Sequence, residues 1–224
     1  MPAQARVTHR ETYVTEEWVE SGSERLVPGI PLEEIGGIAT YGPFRVVDES
    51  HAALVGITDQ RSPGQFAAML RDFPKLDTLE LVECPGTFDD RANLALGRMI
   101  RRAGLATYVP SDGSVRSGAV ELFLAGASRR IDDGARFAVH AWEDDSGMEA
   151  TDYAANAPEN RKYLAYYREM GMSAQDAEAF YAMTNSAPFE SARWLSAEDM
   201  RGWVRTEQAA EPKLAYLDLD ALLN

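Results

Sequence analysis

The stretch from Leu105 to His140 alternates a β-prone run, a loop, an apolar helical run, a turn and a second β-prone run. No other feature constrains the fold as strongly. Residues 105–109 form the first strand, ended by Pro110; Ser117 opens a helix to Ala127; Asp133-Gly134 turns into a second strand over 135–141. Two strands joined by a helical crossover run parallel. The helix descends roughly 15 Å over its ten steps, and the strand from 135 to 140 climbs back roughly 16 Å. Ser117 and His140 are therefore expected at one level, on the C-terminal sheet edge where open α/β folds keep their sites.

The flanking sequence repeats the alternation. Residues 44–47 and 53–58 read as short strands around Asp48-Glu49-Ser50, followed by a helix over 63–73 with Ser62 as its cap and Pro63 at its first position. Residues 76–83 are the next strand. After Cys84-Pro85-Gly86-Thr87 comes a helix whose apolar positions Ala92, Ala95, Leu96, Met99 and Ile100 share a face, with arginines 91, 98, 101 and 102 on a solvated side and Gly104 closing it. This order predicts an α/β fold with a parallel sheet of repeated β-α units, right-handed and doubly wound, with a helical C-terminal part. The expected division is an N-terminal extension over 1–45, a core over 46–149 and a helical remainder of the same domain over 150–224. In that remainder Ser173 with Asp176 and Ser196 with Asp199 have capping-box spacing, and Tyr163, Tyr166, Tyr167, Phe180 and Tyr181 read as core or subunit contact.

A chain of 224 residues supports one sizeable core. A net charge of −14 opposes recognition of a phosphate backbone, so no nucleic-acid partner is expected. No apolar run reaches the ~18 residues of a membrane span, and the N-terminus lacks the pattern of a secretory signal. The expected compartment is the cytoplasm, or the periplasm if a signal has been removed. The single cysteine, Cys84, excludes an intrachain disulfide and any thiolate-rich metal site; no cofactor or metal is expected.

Of three histidines, His140 alone ends a core strand. A histidine base needs a nucleophile in reach, and the matched lengths make Ser117 that candidate. The alternative is a serine that caps its helix and a histidine satisfied in the core. The Gly118 amide follows Ser117, and the Pro85-Gly86 turn could bring the Gly86 and Thr87 amides to the same point as an oxyanion hole. Glu121 interrupts an apolar run one turn after Ser117; it could tune the site, or pair with Arg129, Arg130 or a neighbouring subunit. Cys84, with no histidine near it in sequence, reads as a small buried residue.

These motifs together, Cys84-Pro85-Gly86-Thr87, Ser117-Gly118-Ala119 leading into Phe123-Leu124-Ala125-Gly126, then Arg130, Gly134-Ala135, His140 and Trp194-Leu195-Ser196-Ala197-Glu198, resemble the ClpP/crotonase superfamily. More narrowly, they resemble its uncharacterised bacterial branch of ClpP-like serine hydrolases, often periplasmic. The resemblance covers roughly residues 46–203. It implies a serine nucleophile at Ser117, a general base at His140, oxyanion donors at Gly118 and Thr87, a peptide or ester substrate, and a homo-oligomer, dimer or trimer. Thr87 departs from the second glycine of the family, and Ala192 stands where ClpP-like peptidases carry their orienting aspartate. Glu190 is the substitute acid, with Asn185, Asp144 and Asp145 as further options. The competing reading is a catalytically impaired oligomeric binding or scaffold protein; an acyl-CoA reaction is a third, disfavoured by the Ser/His pair.

Overall fold

The computed structural model describes residues 36–206. The hairpin β1 (Ala39–Tyr41) and β2 (Phe44–Val46) leads into β3 (His51–Val55), and the Asp48 carboxylate holds the second turn by accepting from the Ser50 and His51 amides at 2.7 and 2.8 Å. Then follow α1 (Ser62–Asp72), β4 (Thr78–Cys84), α2 (Asp90–Ala103), β5 (Ala106–Val109), β6 (Ser114–Arg116), α3 (Ala119–Leu124), β7 (Arg129–Ile131) and β8 (Arg136–Val139). The C-terminal part contributes α4 (Pro158–Glu169), α5 (Ala174–Thr184), β9 (Arg193–Ser196) and α6 (Ala197–Trp203). The boundary expected at residue 45 falls inside β2, because the preceding hairpin is part of the sheet; residues 1–35 of the expected extension, and 207–224, lie outside the described residues.

The sheet order is β1-β2-β3-β4-β6-β8-β9, with β5 and β7 branching from β4. Strands β3 to β8 pair in parallel, whereas the hairpin and β9 are antiparallel. This order advances in one direction and never reverses, so there is no switch point and the expected double winding is replaced by a single progressive one. Successive right-handed crossovers then leave their helices on one face, and α1 packs on α2 and α2 on α3.

The central unit is also more finely divided than expected. Strand β4 forks: Thr78–Glu80 pair with β5, while Glu83 and Cys84 pair with Ser114 and Val115 of β6. The crossover through α3 thus serves two strand pairs, β5 with β7 and β6 with β8. Strands of three residues, such as β6 and β7, are too short to show a period. Helix α3 covers six of the eleven residues expected to be helical.

On α2 the buried residues are Asn93, Leu94, Leu96, Gly97 and Ile100, a face rotated from the predicted one. The cause is α4: a Cβ on Gly97 would lie 1.9 Å from the Tyr166 hydroxyl oxygen, so the two helices meet at the glycine. Arg98 and Arg101 are not simply solvated. Arg98 pairs with Glu169 at 2.5 Å, and Arg101 donates to the Gly126 carbonyl at 2.6 Å. Both expected serine caps form, Ser173 accepting from the Asp176 amide and Ser196 making the full reciprocal box with Asp199. The expected Ser62 cap does not form; its hydroxyl accepts from the Asp59 amide instead.

Candidate functional site

The fork in β4 is what builds the site. Because Cys84 pairs with Val115, the chain beyond β4 runs beside the chain beyond β6, and Gly86 comes against Ser117. A Cβ added at Gly86 would sit 2.9 Å from the Ser117 Cβ, and its φ of +134° is one that L side chains rarely adopt. Across β6 the neighbour is β8, in register Arg116 to Ala138, and the Ser117 amide donates to the Ala138 carbonyl at 2.9 Å. Ser117 and His140 therefore stand at the ends of adjacent parallel strands.

Ser117 is the one described non-glycine residue with positive φ, at 51°. A left-handed residue with a Cβ costs on the order of 1 kcal/mol, and the surroundings hold it there. Asn93, buried on α2, donates to the Gly118 carbonyl at 2.6 Å and accepts from the Thr58 hydroxyl at 3.0 Å. Thr58 also bridges to the segment after β4: its amide donates to the Gly86 carbonyl at 3.1 Å, and the Phe88 amide donates to its carbonyl at 2.9 Å. Asn93 and Thr58 are absent from the expectations above. An asparagine on the buried face of α2 is the available signal, and the predicted face, one position out of phase, leaves it out.

The His140 Nδ1 lies 2.7 Å from the Ala141 carbonyl oxygen. A carbonyl only accepts, so this contact puts a proton on Nδ1. The Phe189 ring meets the imidazole edge-on, centroids 5.3 Å apart. Glu190, the carboxylate expected to orient His140, is exposed and outside the cavity wall, while Asn185 is part of that wall. Asp144 also lines the wall, but its carboxylate is taken up by the Ser146 and Met148 amides, the Ser146 hydroxyl and Tyr153, and these bonds hold its pKa well below the usual carboxylate range.

Ser117, Gly118, Thr87 and His140 open on one cavity of about 710 Å³. Its walls carry the carboxyls of Asp89, Asp90, Glu121, Glu143, Asp144, Asp145 and Glu159, against a single lysine, Lys162. No three of these acids converge as a metal site would, among the described residues. Tyrosines 163, 167 and 181 and Trp142 complete the wall, so the expected core aromatics also face the cavity. Trp142 donates to the Tyr181 hydroxyl at 2.7 Å, and Tyr181 donates to Asn160 at 2.6 Å.

Glu121 is 8% exposed and receives the Tyr167 hydroxyl at 2.8 Å. It does not pair with Arg129 or Arg130 as anticipated: Arg129 donates to the Leu124 and Met170 carbonyls, and Arg130 stacks over the Tyr108 ring. Burial raises the Glu121 pKa from 4.5 to about 7, opposed by the Tyr167 bond. The folded protein thus keeps a proton that the unfolded chain releases above pH 4.5. The associated stability is complete below about 4.5 and is lost as pH rises through about 7, a total near 3 kcal/mol. Glu121→Gln is expected to remove this fall; comparing denaturant midpoints of both proteins between pH 4.5 and 8 measures it. Cys84, wholly buried and donating to the Leu54 carbonyl at 3.3 Å, has a thiol pushed up by burial, the opposite of an activated nucleophile.

No family model and no curated protein sequence matches this chain. Among solved structures, a mutant of ClpP1 from Listeria monocytogenes superposes with a TM-score of 0.51 at 15% sequence identity, over 70% of this chain and 88% of that one. The chain therefore has a ClpP-like α/β fold.

Proposed function

We propose that this chain is a serine hydrolase of the ClpP-like branch, cleaving a peptide or ester bond with Ser117 as nucleophile and His140 as general base. The observation that carries the reading is the Ser117 backbone: a serine held in the left-handed region, at the end of β6 and beside the strand that ends in His140, on the wall of a shared cavity. Strain of this kind persists where the surroundings over-determine it, and it clusters at reactive positions. In the proposed reaction Nε2 takes the hydroxyl proton as Oγ attacks the carbonyl. The imidazolium then protonates the leaving group, and water resolves the acyl-enzyme.

The oxyanion would be held by backbone amides. Thr58 bridges to the Gly86 carbonyl and the Phe88 amide, so the intervening Thr87 amide turns away from Thr58, toward the β6 side where Ser117 lies. With Gly118 it makes two donors; Gly86 contributes close approach rather than its amide. The same reading includes a homo-oligomer, dimer or trimer. Phe88, 79% exposed at the cavity rim, is the largest apolar side chain left for such contact among the described residues.

Ala192, where ClpP-like peptidases carry their orienting aspartate, favours one second reading, a binding or scaffold protein that kept the fold without turnover. Labelling with a fluorophosphonate separates the two. The native protein is expected to be labelled once per chain, with labelling abolished by prior denaturation and in Ser117→Ala. A native protein that takes no label, or label that persists in Ser117→Ala, would overturn the hydrolase.

A further inference from the structure

We infer that the pocket beside Ser117 selects a cationic side chain, a lysine or arginine of the substrate, and that Glu121 is the group that receives it. The inference rests on the hydrolase reading for the word substrate, and on the cavity itself for the cation.

The two most buried carboxylates among the described residues are held differently. Glu83, 6% exposed, is matched by the equally buried Arg116. Glu121, 8% exposed, has a tyrosine hydroxyl and no ion pair among the described residues, although it lies on the wall of a cavity large enough for a side chain. A buried acid left without a cation beside an open cavity is a binding group waiting for its charge.

Two independent features of the same wall point the same way. The wall carries seven carboxyl residues, with Lys162 as its sole lysine or arginine among the described residues, so the field inside the cleft attracts a cation before contact. The aromatic faces also suit an ammonium: Lys162 Nζ already rests 4.9 Å from the Tyr163 ring centroid and 5.4 Å from that of Trp142. When the cavity holds no cation, Glu121 is near the midpoint of its own titration at neutral pH. A guanidinium or ammonium arriving there releases that proton and leaves an ion pair. Ser117 and Glu121 line the same cavity, so a cation held at Glu121 belongs to the molecule whose bond is presented to Oγ.

The test uses the wild-type protein and benzamidine, with benzyl alcohol as the neutral aromatic control, titrated by calorimetry. Benzamidine is expected to bind roughly tenfold to a hundredfold more tightly than the control, the span of one charge-assisted hydrogen bond. Glu121→Gln is expected to remove that advantage while retaining a wild-type circular dichroism spectrum. Equal binding of the two probes to the wild type overturns the inference even if the variant fails to fold, as does an unchanged preference in a folded Glu121→Gln. A second arm compares labelling by aryl phosphonate esters bearing a lysine or a norleucine side chain, the lysine form being expected to react at least tenfold faster. If neither phosphonate reacts while benzamidine still binds through Glu121, the hydrolase reading fails and the cation site stands.

Discussion

Replacing His140 with alanine is expected to slow phosphonylation of Ser117 by about three to four orders of magnitude while leaving the denaturant midpoint close to that of the wild type. The size follows from what the imidazole supplies. A serine hydroxyl is a weak nucleophile unless its proton leaves as it attacks, and the base must present an unprotonated nitrogen to receive it. Here the Ala141 carbonyl fixes the proton on Nδ1, and the Ala141 amide is in turn anchored to the Ala187 carbonyl at 2.7 Å. Glu190→Gln is expected to leave the rate unchanged, because Glu190 is exposed and stands outside the wall. The checks are single-turnover labelling rates for the three proteins. A His140→Ala protein labelled at the wild-type rate would remove the histidine from the mechanism.

Arg116→Leu is expected to destabilise the fold by about 3 to 5 kcal/mol, the usual consequence of leaving one member of a buried ion pair behind. Arg116 and Glu83 are 7% and 6% exposed; the guanidinium holds the Glu83 carboxylate directly and the Ser114 hydroxyl at 2.5 Å. Glu83 precedes the Cys84-to-Thr87 turn, and Arg116 precedes Ser117, so the pair ties together the two chain ends that form the site. Removing both charges, as Glu83→Leu with Arg116→Leu, should cost much less than Arg116→Leu alone, because no uncompensated charge remains. Chemical denaturation of the two single variants and the double one measures the coupling. A double variant as unstable as the sum of the singles would show that the two side chains act independently.

The contrast between Glu83 and Glu121 could not be drawn from the chain as written. Both are glutamates in apolar surroundings, one on a strand and one on a short helix. Only the pairing of β4 with β6 puts Arg116 beside the first, and only the packing of α4 on α3 puts Tyr167 beside the second.

What the sequence determined by itself is whatever depends on local periodicity and on chain length. The strand–helix alternation, the capping serines of α5 and α6 and the Gly104 end of α2 follow from rises per residue and from short-range hydrogen bonding, which neighbours in the chain dictate; Ser117 and His140 reach one level through the register of β6 on β8, because the helix expected between them is only six residues long. The tertiary structure alone decided the fork of β4, the three-residue strands β6 and β7, the single direction of winding, and the partners of His140 and Glu121. Each of these depends on which distant segment arrives alongside. A three-residue strand has no period to read, and a polar side chain in an apolar run can be satisfied by a carbonyl, a hydroxyl or a charge. The choice is made by whichever group the packing delivers within about 3 Å.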